Sequence, residues 1–447
     1  MRSPLDYFTD IVLRGPTIGC MLICMTAALV GVIVFLRKES LVGEALSHAA
    51  YPGVILGVWL GGILMGDIPD AVPLTLWILL GAFTTSWIGL KAIQWLERRF
   101  RIRSDSALTL VLASFMGVGL TLASRMQFAR TSLYRRAQAY LFGQAATMTD
   151  QHAYLFAILA VFTVAIVLIF FKELKLISFD SEYAKSIGVR VPLINRLAFI
   201  LVVLAVVLGL RAVGVVLMSA MLVAPPVAAR QHTHRLSTLL LLAGSIGLVS
   251  GFLGNYLSVE LVHYWVHEQS ATRITLPTGP MIVLVAATLC LGSLLFARER
   301  GILRKFVRMG RFRYRCMAEN ILKSIWRMGP RSVVQLEDIA QYQPVSRIYL
   351  KLLIFNLQIN GWIAHLKDGT YRLTKDGRYR AQQIVRLHRL WEVYLADHLG
   401  LGVERVHRNA EEMEHILTPE LEKQLTEMLR DPAKDPHQQP IPPRRSL

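Results

Sequence analysis

The chain has 447 residues, 53% of them hydrophobic and 18% charged, with a net charge of +18. Soluble domains carry about 25% charged residues, and the mean hydropathy here is +0.43, so a disordered chain and a simple soluble enzyme are both excluded. Its cysteines, Cys20, Cys24, Cys290 and Cys316, form no CxxC pair, which excludes a disulfide framework and a cysteine-rich zinc site.

Apolar stretches recur near 17–36, 46–65, 73–95, 107–123, 153–171, 195–210, 212–229, 236–256 and 279–297. A membrane span takes about 20 mostly apolar residues, and most of these stretches qualify. The sixth and seventh are short and separated by Arg211, so they read as tilted, broken or partly re-entrant. Eight or nine spans are expected. Residues 1–16, which hold Asp6, Asp10 and Pro16, do not read as a cleavable leader. Cys20 and Cys24, four apart in the first stretch, read as small core residues on one helix face.

Lys and Arg in short loops set the orientation. Basic clusters stand at Arg37-Lys38, Arg98–Arg103, Lys172–Arg190 and Arg230–Arg235, and nine crossings put all of them on the cytoplasmic side. Segment 124–150 dissents: it carries Arg125, Arg130, Arg135 and Arg136 yet falls outside, where an amphipathic interfacial helix would accommodate it. Eight Lys and Arg then crowd residues 298–315, with Glu299 as the only acid. Such a run sits at anionic headgroups, at about 1 kcal/mol per charge.

From about 317 the pattern is that of a soluble domain. Helices are expected at 317–328, 335–341 and 346–359, then strands at 362–366 and 370–373 joined by Lys367-Asp368-Gly369, then a long helix from Lys375 to about 399. Three helices and a two-stranded wing make a winged helix-turn-helix. A helical pair, 403–416 and 418–430, follows; Thr418-Pro419-Glu420 is a good helix start. The Pro-rich end, 432–443, reads as extended.

The membrane part holds one run with chemical content, Leu41-Val42-Gly43-Glu44-Ala45-Leu46-Ser47-His48-Ala49-Ala50-Tyr51-Pro52-Gly53. Glu44 and His48 are four apart and share a helix face. Ionisable groups at that depth face a cavity or pathway, and a carboxylate beside an imidazole suits Mn²⁺, Fe²⁺ or Zn²⁺. The alternative is a helix-end salt bridge or a satisfied histidine. The run resembles a motif of the permease subunits of ABC importers for zinc, manganese and iron, close to GDALSHAxLPG. The resemblance covers roughly 10–297 and includes Gly31–Arg37, Tyr140-Leu141-Phe142-Gly143 and Val213–Pro225. It implies that Glu44 and His48 line the metal path, with Glu44 standing where the family has Asp. It also implies that Phe179–Val189 is the coupling helix that engages a separate ATPase chain, through Asp180, Glu182, Ala184 and Gly188. The further partners it implies are a second permease chain, the same or related, and an extracytoplasmic metal-binding protein, in a bacterial cytoplasmic (inner) membrane. His263 and His267 read as surface histidines, and His232 and His234 as solvated. No P-loop run is present, so ATP hydrolysis is expected on another chain and no enzymatic activity on this one.

The soluble part carries His388 and Glu392 four apart on one helix, and His407, Glu411, Glu414 and His415 on the next. Six nitrogen and oxygen donors without Cys suit Mn²⁺ or Fe²⁺, with Zn²⁺ competing. The alternative is a charged helix pair. Residues 317–442 resemble the diphtheria-toxin-repressor and manganese-repressor family of metal-sensing regulators, through Arg386–Glu392, Glu411–Glu420, Asp431–His437 and Pro440-Ile441-Pro442. The resemblance implies that those six residues are sensor ligands, with Mn²⁺ favoured and Fe²⁺ or Zn²⁺ as alternatives. Two features depart from it. Asn320 and Lys323 match the positions where the family's first helix supplies ligands, and a protonated Lys cannot ligate. The would-be DNA-reading helix, Ser346–Asn356, presents mostly large apolar groups, so DNA binding is disfavoured.

The expected fold is thus an all-α polytopic membrane protein followed by a cytoplasmic winged helix-turn-helix and a helical metal-binding and dimerisation domain. The expected boundaries are 1–297 for the permease, 298–316 for a basic juxtamembrane linker at the lipid surface, 317–382 for the winged helix and 383–447 for the sensing part. The expected function is metal uptake, with the fused domain regulating it. The alternative is a metal-dependent transcriptional regulator, tethered to the membrane or released by proteolysis.

Overall fold

The computed structural model describes residues 3–65, 72–143, 145–268, 276–329, 332–342, 345–400, 410, 411, 413, 415 and 419–443. The chain divides into two compact units, Met1–Arg304 and Lys305–Leu447.

The first unit is helical. Its elements are α1 (Asp6–Thr9), α2 (Ile11–Leu36), α3 (Ser40–Met65), α4 (Val72–Phe100), α5 (Ser104–Ala129), α6 (Thr131–Phe142), α7 (Asp150–Ile169), α8 (Phe171–Phe179), α9 (Ser181–Ser186), α10 (Val191–Ala212), α11 (Met218–Arg230), α12 (Leu236–Glu268) and α13 (Thr278–Phe296). Among the described residues eight of these, α2, α3, α4, α5, α7, α10, α12 and α13, are long and apolar enough to cross a membrane. The short sixth and seventh stretches resolve into α10 and the 13-residue α11, parted by Gly214 at φ +93°. The segment that disturbed the charge pattern contains α6, which buries Leu133, Ala137 and Tyr140 and leaves Arg135 exposed.

Lipid removes the hydrophobic drive for one helix to seek another, so close backbone approach and polar contacts must hold the bundle. The α3–α4 contact shows both. A Cβ on Gly53 would lie 2.0 Å from the Gly81 carbonyl oxygen, and a Cβ on Gly81 would lie 2.3 Å from that of Gly53. About two turns further along α3, the Ser86 hydroxyl donates to the Leu46 carbonyl at 3.1 Å. A second backbone joint ties α6 to the α10–α11 break. Val215 N–H donates to the Tyr140 carbonyl at 3.0 Å, and Gly143, at φ +75°, leaves no room for a Cβ against the Ala212 carbonyl oxygen, 2.5 Å away.

The second unit opens within α14 (Ile302–Met328), a single helix that runs from the basic segment into the domain. Then come α15 (Leu336–Tyr342), α16 (Arg347–Ile359), β1 (Ile363–His365), β2 (Tyr371–Leu373), α17 (Lys375–Leu399) and α18 (Pro419–Met428). The strands pair antiparallel with Ile363 opposite Leu373. Ser346 caps α16 by accepting from Tyr349 N–H, and Thr374 caps α17 by accepting from Gly377 N–H at 3.0 Å. Gly400, in the left-handed region at φ +61°, ends α17. Helix α16 is two-faced: Leu350, Leu353, Ile354 and Leu357 enter the core, while Ile348, Leu352, Phe355 and Ile359 are exposed.

Gly81→Val should force α3 and α4 apart, an overpacking cost of about 1–3 kcal/mol, and lower the thermal unfolding midpoint in detergent. Gly117→Ala, with nothing within 4 Å of its added carbon, should not lower the midpoint, since Ala is the better helix former.

Candidate functional site

Helix α3 begins at Ser40, so Glu44 and His48 lie in its second and third turns. Both are half-buried. Between them Ser47 is fully buried and returns its hydroxyl to the Glu44 carbonyl at 2.9 Å. The neighbouring helices press close, with Gly43 against the Leu222 side chain of α11 and Gly89 of α4 against Ala49. His48 Nδ1 is buried and has no hydrogen-bond partner among the described residues. An imidazole nitrogen in that state is suited to receive a cation, and the carboxylate one turn away supplies the charge.

Segment 179–189 forms a short helix with both ends fastened. Asp180 Oδ1 accepts from Glu182 N–H at 3.1 Å and Tyr183 N–H at 2.9 Å. Glu182 pairs with Lys185 at 2.7 Å, and Ala184 is fully buried. At the far end Gly188 takes φ +86° and Val189 N–H closes on the Ala184 carbonyl at 3.0 Å. The sequence reading passed over Phe179, Tyr183 and Ile187. They are exposed; Tyr183 of α9 and Ile187 at its end, four apart, share one side of this polar turn, while Phe179 ends α8 before the extended Asp180. The spacing of Tyr183 and Ile187 was the signal available.

In the second unit the structure brings His388 and Glu392 together, Nε2 to Oε1 at 3.1 Å, both 2% exposed. It also brings Lys323 to them. The Lys323 ammonium, 3% exposed, lies 3.2 Å from His388 Nδ1 and 3.8 Å from Glu411 Oε1. His415 Nδ1 lies 2.8 Å from Glu319 Oε2. The other oxygen of Glu319 meets Arg380 at 2.7 Å and Arg315 at 3.1 Å. Burial alone would raise the Glu319 carboxyl, but His415 and the two guanidiniums outweigh it and hold it down at about 2. Glu319, next to the suspect Asn320, was not singled out from the sequence, because its partners Arg380 and His415 lie 61 and 96 residues away. His407 and Glu414 lie outside the described residues, as do the side chains of His263 and His267.

No group of three or more His, Cys, Asp or Glu among the described residues is arranged to hold a metal ion. In donor chemistry His388, Glu392, Glu411 and His415, with Glu319, fit a divalent transition ion. Lys323 does not, and it competes for the same acceptors.

This architecture is that of a polytopic membrane permease carrying a regulator-type domain. The chain belongs to the ABC 3 transport family, whose model matches residues 10–297. Residues 374–443 match the iron-dependent repressor metal-binding and dimerisation domain. The chain is 36% identical over 446 residues to a probable metal transport system membrane protein of Chlamydia trachomatis, covering 98% of this chain and 97% of that protein. It is 32% identical over 386 residues to the manganese transport system membrane protein MntC of Bacillus subtilis, covering 86% and 84%. To the zinc transport system membrane protein TroC of Treponema pallidum it is 34% identical, covering 70% and 97%. Among solved structures, PsaBC from Streptococcus pneumoniae in complex with Fab is similar with a TM-score of 0.55 at 26% identity, covering 68% of this chain and 98% of that one.

Lys323→Gln removes a positive charge from beside His388 and Glu411. Equilibrium dialysis of the full chain in detergent should show Mn²⁺ binding tightened about tenfold, the effect of roughly 1.4 kcal/mol. Unchanged affinity would mean that the ammonium and the ion do not compete.

Proposed function

We propose that this chain is the permease of an ABC importer for a divalent transition metal ion, Mn²⁺, Zn²⁺ or Fe²⁺, and that its fused domain regulates uptake. The observation that carries the transport reading is the Glu44–His48 pair inside a span-length helix, with the buried His48 Nδ1 unpartnered among the described residues. Manganese and zinc transport in the names of relatives supports the cargo class. In this reading the ion passes Glu44 and His48, which replace part of its water shell in turn. A second permease chain completes the path, and an extracytoplasmic binding protein delivers the ion. A separate ATPase chain docks on α9, where the exposed Tyr183 and Ile187 enter the partner and the Asp180 cap keeps the helix rigid enough to transmit force. The chain sits in a bacterial cytoplasmic membrane with its second unit inside the cell.

The second unit then reads the metal concentration that the first unit raises. His388, Glu392, Glu411 and His415 would hold the ion, with His407 and Glu414 as the remaining donors read from the sequence and Glu319 as an added carboxylate. A bound divalent ion supplies charge that draws these carboxylates together. The exposed face of α16, Ile348, Leu352, Phe355 and Ile359, is poorly made for base edges, which need hydrogen-bonding side chains. That face favours feedback on transport over control of a promoter.

Radiolabelled Mn²⁺ uptake into cells preloaded with Mn²⁺ tests the feedback. The full chain should slow several-fold on preloading, and a chain ending at Arg304 should not. Equal slowing in both would remove the regulatory role. Asp180→Ala, which loses a cap of about 1 kcal/mol, should cut uptake while leaving the amount of chain in the membrane unchanged.

A further inference from the structure

Arg211 ends α10 inside the membrane unit and is 6% exposed. Its contacts are with neutral groups: Nη1 donates to Thr75 Oγ1 and Tyr140 Oη, each at 3.2 Å, and Nη2 to the Thr147 carbonyl at 3.5 Å. Its Nε is buried without a hydrogen-bond partner among the described residues. A guanidinium is always charged, and burying a charge with no opposite charge beside it is strongly unfavourable. The same side chain lines a cavity of about 210 Å³, together with Arg135 and Arg136 of α6, Thr75 of α4, Tyr140 and Thr147. No carboxylate is among the described residues that line it. Asp150, on the neighbouring α7, is paired to Arg14.

We propose that this cavity is an anion site, and that its ligand is a small oxyanion of the carboxylate or phosphate class. The guanidiniums of Arg211 and Arg135 at one opening repel a divalent cation, so the site is distinct from the Glu44–His48 path. Arginine forks match the paired oxygens of such anions. A cavity of this size has room for an ion several times a water's share of liquid volume, about 30 Å³. The walls come from α4, α6 and α10, so a bound anion ties three helices at one end of the bundle. The anion also gives the arginines of α6, which ran against the charge pattern of the loops, a role in holding the bundle.

The full chain in lipid nanodiscs, melted at constant ionic strength with chloride replaced stepwise by acetate or phosphate, tests the site. The unfolding midpoint should rise with anion concentration in a saturable way, as for any ligand that binds only the folded state. Arg211→Gln should abolish the rise. Because that variant disturbs a buried network, Arg135→Gln, at an exposed position, is the second test and should weaken the apparent affinity several-fold. No rise, or the same rise in both variants as in the parent, would overturn the proposal. Asp67 and Asp70 of this chain are the competing source of a carboxylate. A rise seen only after both are changed to Asn would assign the cavity to the chain's own acid and likewise overturn it.

Discussion

The membrane unit depends on the backbone contact between α3 and α4. At Gly53 and Gly81 each helix leaves no space for a side chain on the other. Packing of this kind replaces the hydrophobic drive that lipid removes. It also fixes the rotation of α3 about its own axis, and so the direction in which Glu44 and His48 face. The hydroxyl of Ser86 on the Leu46 carbonyl locks the same turn. If Glu44 and His48 are the cargo site, as proposed, it is only as well placed as that helix, and the glycines and these two residues then form one device.

The second unit solves a different problem. It buries carboxylates and imidazoles and must balance them. Glu319 is balanced by Arg380, Arg315 and His415, and Glu411 and His388 by Lys323. A divalent ion entering this cluster would meet a cation already in place. Its affinity would then be set by the difference between two cations rather than by the donors alone, and a weak, high-threshold response would suit the feedback role proposed for this domain.

Much of this was legible in the chain itself, and what was legible was local. Spans, wing and helix starts follow from runs of apolar residues, from Lys367-Asp368-Gly369 and from Lys375, because those signals act within a few residues. The boundary of α3 was less clear: the apolar stretch starts near 46, yet the helix starts at Ser40, since Glu44 and His48 lower the hydropathy of turns that are helical all the same. What stayed hidden was long-range. Lys323 meets His388 across 65 residues, and Arg211 meets Thr75 across 136. No periodicity encodes such pairs. The sequence raised Lys323 as a misfit to a ligand pattern, and the fold turns that misfit into a counter-ion. Arg211 looked like a break between two short spans and is the buried end of a full one.

The most direct test of the account is uptake of labelled Mn²⁺ and Zn²⁺ by membranes that contain this chain and the ATPase chain proposed to drive it, compared between the parent, Glu44→Gln and His48→Ala. Removing a donor that the ion must meet should reduce uptake at least tenfold at unchanged chain abundance, with ATP hydrolysis retained. Parent-like uptake in both variants would show that the ion takes another route through the bundle.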